Sequence, residues 1–441
     1  MIGACLLSAG ALPAGAGETS LSPFTARITG QEDYAYVWTL GREGVGDGMD
    51  KLVTVDVNPA SRLYGKVIHI VSVGGRHGAL GASFTDDRRY LWAAGMESST
   101  LFIFDVASDP RRPRLHRIIR GFTAASGGAA GPHRMTALPG RMLITTPSGQ
   151  TDSGQTDSGQ SDGAGTGAVV EYSNAGDYLA THWMPHDGDL RGAQKSGEHA
   201  SGHGFDIGLL ARSAVIVTSS LEHGALLDLA SGGLAVEAGE WAQATNVVIW
   251  DLHSRKPRKV FDVPGAPLSV QCSSTAASEH CFTVTAVTAK LWLIKQDETR
   301  TWRAYPVAQL DEAGRALPLD LSVSADGLRL WVASAGDRKL RLFDVSSPHA
   351  PEPIFESELA PARIAQSFDG TRLYAASADT FEVHHWDGTA LTTDLAIDFA
   401  REGLGRPWQV RFGASALYPL AAHPLAGTAQ SHAPMPPSTL R

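Results

Sequence analysis

One pattern of residues recurs along the chain and limits what it can fold into. Residues 83–107 read SFTDDRRYLWAAGMESSTLFIFDVA and residues 322–346 read SVSADGLRLWVASAGDRKLRLFDVS. Both run from an Asp-containing turn to an arginine, then Leu-Trp with small residues, a polar loop and a Phe-Asp-Val strand. A shorter copy, SFDGTRLYAASADTFEVHHWDG, fills 367–388, and weaker copies lie at 36–59 and 214–257. The turn suits Asp and Gly, and segments such as Leu340-Arg341-Leu342-Phe343 alternate as a strand with one wet face does. One such unit cannot bury its own faces, so several must stack. Radial stacking of four-stranded sheets gives a β-propeller, which leaves only short edges exposed. Units beginning near 36, 83, 133, 204, 267, 319 and 362 predict an all-β fold: a single β-propeller of seven blades, each a four-stranded antiparallel sheet. Six and eight stay open as neighbouring counts, because the units near 133 and 267 are weakly marked.

Composition agrees with this reading. Apolar residues make up 43% and charged residues 19%, enough for a sizeable core and unlike a disordered chain. The 47 glycines and 24 prolines favour short strands and turns. A formal charge of −9 argues against a nucleic-acid partner, and no apolar run approaches the roughly 20 residues of a membrane span. The propeller is expected over 34–418, with a low-complexity hairpin loop at 148–167 (SGQTDSGQTDSGQSDGAGTG) and a disordered Ala/Pro-rich tail at 419–441. Residues 1–33 form a signal-peptide-like segment and linker: Ile2 to Pro13 are apolar or small, and Ala14-Gly15-Ala16 suits a cleavage site. No Lys or Arg precedes Arg27, so the true start is left open. Export, to a periplasm or otherwise out of the cytoplasm, is the expectation. Cys272 and Cys281 flank a polar segment between two apolar strands; if these form a hairpin, the sulfurs meet and an oxidising compartment closes a disulfide. Two free thiols are the other reading.

From Tyr36 the text resembles the selenium-binding protein family, whose bacterial members are methanethiol oxidases. YVWTLGREGVGDGMDKLVTVDVNPASRLYGKVIHIV at 36–71 is the most specific match. It is followed in order by segments at 104–119, 131–146, 204–219, 341–353 and 398–412 (DFAREGLGRPWQVRF). The resemblance implies a propeller and, for function, copper-dependent oxidation of methanethiol, a small thiol, with O2 to formaldehyde, hydrogen sulfide and hydrogen peroxide. Histidines hold the copper in that family, and imidazole suits this metal. Of the family's paired histidine motifs, this chain keeps His77 (in Arg76-His77-Gly78) and His133 (in Pro132-His133-Arg134). Further family histidines align near Ser273 and Asp337, and the C-terminal His-Glu pair aligns with Gln409-Val410. The family cysteine linked to selenium corresponds to Gly65, after Tyr64.

Two imidazoles seldom hold copper alone, so His199 and His203, four apart in EHASGHGFD, and Asp337 are the candidates to complete a shell. His182 and His186 have a proline between them, and His384-His385 are strand neighbours that face opposite ways. Three functional readings are open: a copper-dependent thiol oxidase, a non-catalytic propeller binding module that has lost the family metal site, and a zinc site built on His77 and His133. The oligomeric state is not legible.

Overall fold

The computed structural model describes residues 21–28, 30–147, 166–185, 204–221, 245–274 and 278–415, with strand backbone at 194–196, 227–228, 233–234 and 417–418. These residues form seven four-stranded antiparallel sheets set around a common axis, as the repeat predicts. Blade two is Ala79–Phe84, Tyr90–Gly95, Thr100–Asp105 and Arg114–Ile119, running outward from the axis. Blades three and four begin on the inner strands Met135–Leu138 and Gly204–Leu210. Blades five, six and seven begin on Pro267–Ser274, Pro318–Val323 and Arg363–Gln366. Blade four carries a fifth strand, Gln194–Ser196, parallel to its outer edge. Helix among the described residues is limited to Phe122–Ala125. Inner strands such as Ala79–Phe84, Gly204–Leu210 and Pro318–Val323 are buried throughout, whereas outer strands such as Glu352–Ser357 lie largely in solvent.

Blade one departs from simple sequence order. Tyr34–Leu40, Lys51–Asp56 and Val67–Ser72 supply its three outer strands, but its inner strand is Arg406–Gly413. Val37 pairs with Val410 and Trp38 with Gln409, so the ring is closed by a sheet shared between the two ends of the domain. Closure in this way leaves no inner edge to pair with another chain.

The repeated turn has one physical cause in three blades. Thr85, Ser324 and Ser367 donate a hydroxyl to Asp87, Asp326 and Asp369, the last residue taking its bond at 2.6 Å. Each aspartate also accepts the backbone amide two residues on, from Arg89, Leu328 and Thr371. The hydroxyl in turn accepts the amide that opens the next strand, from Tyr90, Arg329 and Arg372. The aspartates that end the third strands act likewise: Asp105 and Asp344 of the Phe-Asp-Val copies, and Asp251 of Trp250-Asp251-Leu252, accept amides from Ala107, Ser346 and His253, turning the chain toward the outer strand. Trp92 and Trp331, from the Leu-Trp dipeptides of the two longest repeat copies, are fully buried and wedge blade against blade, packing on Tyr172 and Trp386 at 6.1 and 5.5 Å.

Cys272 and Cys281 face each other across the blade-five hairpin, with their sulfurs 2.01 Å apart in a disulfide. The short ring it closes removes about 2–3 kcal/mol of unfolded-state freedom. The double variant Cys272→Ser/Cys281→Ser is therefore expected to lose that stability in urea without reductant, and wild type with reductant to match it. Equal midpoints for oxidised and reduced wild type would show that the bond adds nothing.

Candidate functional site in the bore

Gly81, on the inner strand of blade two, admits the segment entering blade three. A side chain there would lie 2.0 Å from the His133 carbonyl oxygen. That segment carries His133 and Arg134 to the end of the disc where the inner strands begin. His133 is buried, its ring centroid 4.0 Å from that of Phe205, and its Nδ1–H donates to the Phe205 carbonyl at 2.7 Å. Burial, with the Arg134 and Arg363 charges nearby, pushes its pKa down to about 3, so the ring is neutral and Nε2 carries its lone pair.

Beside it, side chains from six of the seven blades converge. Arg134 donates from Nη1 to Gln409 Oε1 at 2.6 Å, across the bore in blade one. Its Nε lies 3.9 Å from Asp206 Oδ1 of blade four, and its Nη2 lies 3.6 Å from Asp320 Oδ1 of blade six. Ser269 of blade five donates to Asp320 at 3.2 Å. The two carboxylates also tie neighbouring inner strands together: Asp206 accepts the Val270 amide at 2.9 Å and Asp320 the Ile364 amide at 3.0 Å. Arg363 of blade seven completes the group. Its Nη1 donates to the Leu319 carbonyl at 3.0 Å and the Ala362 carbonyl at 3.2 Å, and its guanidinium lies over the Trp408 ring at 4.9 Å. Burial pushes the Asp206 carboxyl up despite Arg134, and burial with Arg134 alongside brings Arg363 down to about 10, still charged at neutral pH.

The other sequence candidates lie elsewhere. His77 is half-buried in the loop before Ala79; its amide donates to Asp50 at 2.9 Å, its Nδ1 meets Ser98 Oγ at 2.9 Å, and its ring packs edge-on against Phe102. It braces two loops, and its partners are not those of His133. Asp337 is paired with Arg341 of its own blade. His182 donates to Glu171, and His384 is buried between Glu382 and Thr393 while His385 is exposed. His186, His199 and His203 lie outside the described residues, as do 148–165 and most of 1–33 and 419–441. Gly65 has φ +75°, and a Cβ would meet Leu395 Cδ1 at 2.8 Å, so this backbone disfavours a cysteine there.

Copper therefore fits poorly among the described residues. No three His, Cys, Asp or Glu side chains there are grouped to hold a metal. At the bore, His133 offers one nitrogen, and the nearby carboxylates already face the Arg134 guanidinium. Sequence reasoning missed Arg134, Asp206, Asp320, Arg363 and Gln409 as a group. The available signal was a lone charge inside otherwise apolar strands, as in GFDIGLL and PLDLSV.

A closed seven-bladed propeller with a buried, charged bore defines the class of protein. Residues 15–359 match the family model of the 56 kDa selenium-binding proteins, and the chain belongs to that family. It is 43% identical to a methanethiol oxidase from Ruegeria pomeroyi, over 93% of this chain and 98% of that one. It is 40% identical to a methanethiol oxidase from Hyphomicrobium sp., over 93% and 94% respectively. Among solved structures, a hypothetical selenium-binding protein from Sulfolobus tokodaii superposes with a TM-score of 0.70 at 18% identity, covering 90% of this chain and 97% of that one. At that identity the last likeness speaks to fold alone.

Proposed function

We propose that this protein oxidises methanethiol, or a thiol of similar size, at the bore. The observation that carries this reading is the 43% identity with a methanethiol oxidase, sustained over nearly the full length of both chains. The balanced reaction is methanethiol plus O2 plus water to formaldehyde, hydrogen sulfide and hydrogen peroxide. Copper is the metal implied by the family. A shell for it needs donors beyond His133 at the bore, and His199 and His203, in the segment leading to Gly204, are the residues to test for that role. The disulfide between Cys272 and Cys281 supports export to an oxidising compartment.

The test is methanethiol consumption by the purified full chain, before and after copper loading, with metal content measured alongside. Formaldehyde and sulfide are expected in equal amounts, one of each per thiol consumed. Absence of turnover with copper loaded overturns the oxidase reading. It would favour the second, a non-catalytic propeller whose bore binds a small ligand, which the Arg–Asp filling of the bore supports.

A further inference from the structure

We infer that the bore is a binding site for a small monovalent anion, seated on the unpaired edge of Arg363. In the thiol-oxidising reading, on which this part of the inference rests, that anion is the thiolate of the substrate.

Arg134 and Arg363 differ in how their hydrogen bonds are met. Arg134 is satisfied, since Gln409, Asp206 and Asp320 all face it. Arg363 is not. Its Nη1 serves two carbonyl oxygens, while its Nε is buried without a hydrogen-bond partner among the described residues. The residue is 4% exposed. A buried donor left unmade costs about 1–3 kcal/mol, more on a charged group, so such an atom calls for an explanation. An arginine edge that presents Nε–H is a strong donor for an anion.

Arg134 and Arg406 act on the Arg363 charge in one direction and Asp320 and Asp206 in the other, while Asp379 in turn acts on Arg406. His133 beside them is neutral and adds no charge. Coulomb interactions in so buried a place are only partly screened, so the Arg363 guanidinium acts strongly on an anion that reaches its Nε edge. The Trp408 face under Arg363 keeps the guanidinium in place. A thiol entering here would bind as thiolate, its S–H proton leaving to solvent and the negative charge resting on the Arg363 edge.

The experiment titrates the full-length protein with sodium thiocyanate at constant ionic strength in chloride, by calorimetry. A second arm uses methanethiol without oxygen, so that nothing turns over. Wild type is expected to bind one thiocyanate saturably, with methanethiol competing. Arg363→Gln should weaken thiocyanate at least tenfold, and Arg363→Lys, which keeps the charge but loses the fork, should fall between. Thermal midpoints and near-ultraviolet circular dichroism check that both variants are folded. Thiocyanate affinity should be flat from pH 6 to 9, whereas methanethiol affinity should rise with pH, because only its ionised form is bound. Non-saturable thiocyanate binding in wild type, or unchanged affinity in a folded Arg363→Gln, overturns the site. Saturable thiocyanate binding that depends on Arg363, with neither competition nor consumption of methanethiol, retains the anion site and removes the thiol reading. Consumption of methanethiol with unchanged KM in Arg363→Gln does the reverse.

Discussion

Arg134→Met is expected to destabilise the protein by about 3–5 kcal/mol, the range found when one partner of a buried ion pair is removed. The reason lies in what stays behind. Asp206 and Asp320 are both buried, and each has Arg134 as a facing cation. Methionine fills much of the volume but leaves two carboxylates in a low-dielectric bore, and strips Gln409 of its 2.6 Å donor. The lost stability should therefore be largely restored in the triple variant Arg134→Met/Asp206→Asn/Asp320→Asn, which removes the stranded charges. Urea midpoints of the three proteins measure this directly. A loss below about 1 kcal/mol in the single variant, as for an exposed pair, would mean that the bore is wetter than its burial indicates.

Acidification provides the second large effect. His280, on the inner-to-second hairpin of blade five, packs edge-on against Phe282, and its Nε2 is buried without a hydrogen-bond partner among the described residues. Burial first, then the Lys295 and His349 charges, push it down to about 4. Below pH 6.5 the unfolded chain takes up a proton that the folded protein refuses, so stability falls as pH falls. The full penalty, reached near pH 4, is about 3 kcal/mol. At lower pH a second group adds to the loss. Burial would raise the Glu171 carboxyl, but hydrogen bonds from His182 and Arg141 and the Arg255 charge outweigh it and hold the group at about 2. Its stabilisation is present above about pH 4.5 and fades as pH drops towards 2, for a further loss of about 2 kcal/mol, discounted because Arg141 is partly in water. Denaturant midpoints measured from pH 7 to 4 should slope downward in wild type and flatten in His280→Leu. The same slope in both proteins would show that His280 titrates freely.

The two histidines taken from the family motifs show what chain order leaves out. His77 braces a loop over Phe102 of its own blade, whereas His133 packs against Phe205 of the next blade. Which neighbour each loop reaches is not written in the motif. The charged group of Arg134, Asp206, Asp320, Arg363 and Gln409 escaped notice because a lone charge in one segment does not reveal its partners in the others. Only the axis brings them together, and no two belong to the same blade.

The repeat alone determined the architecture. The Ser/Thr–Asp turns and the aspartates that end the third strands are short-range devices, each satisfied within a few residues, and their recurrence marks the blade as the unit of the fold, with seven as the count it favours over six or eight. Tertiary structure alone decided how the ring closes and what fills its centre. Both depend on contacts such as Trp38 with Gln409 and Arg134 with Gln409, which join residues hundreds of positions apart. Local preferences are written in neighbouring residues, whereas the balance of charge in a buried bore exists only once every inner strand has met at the axis.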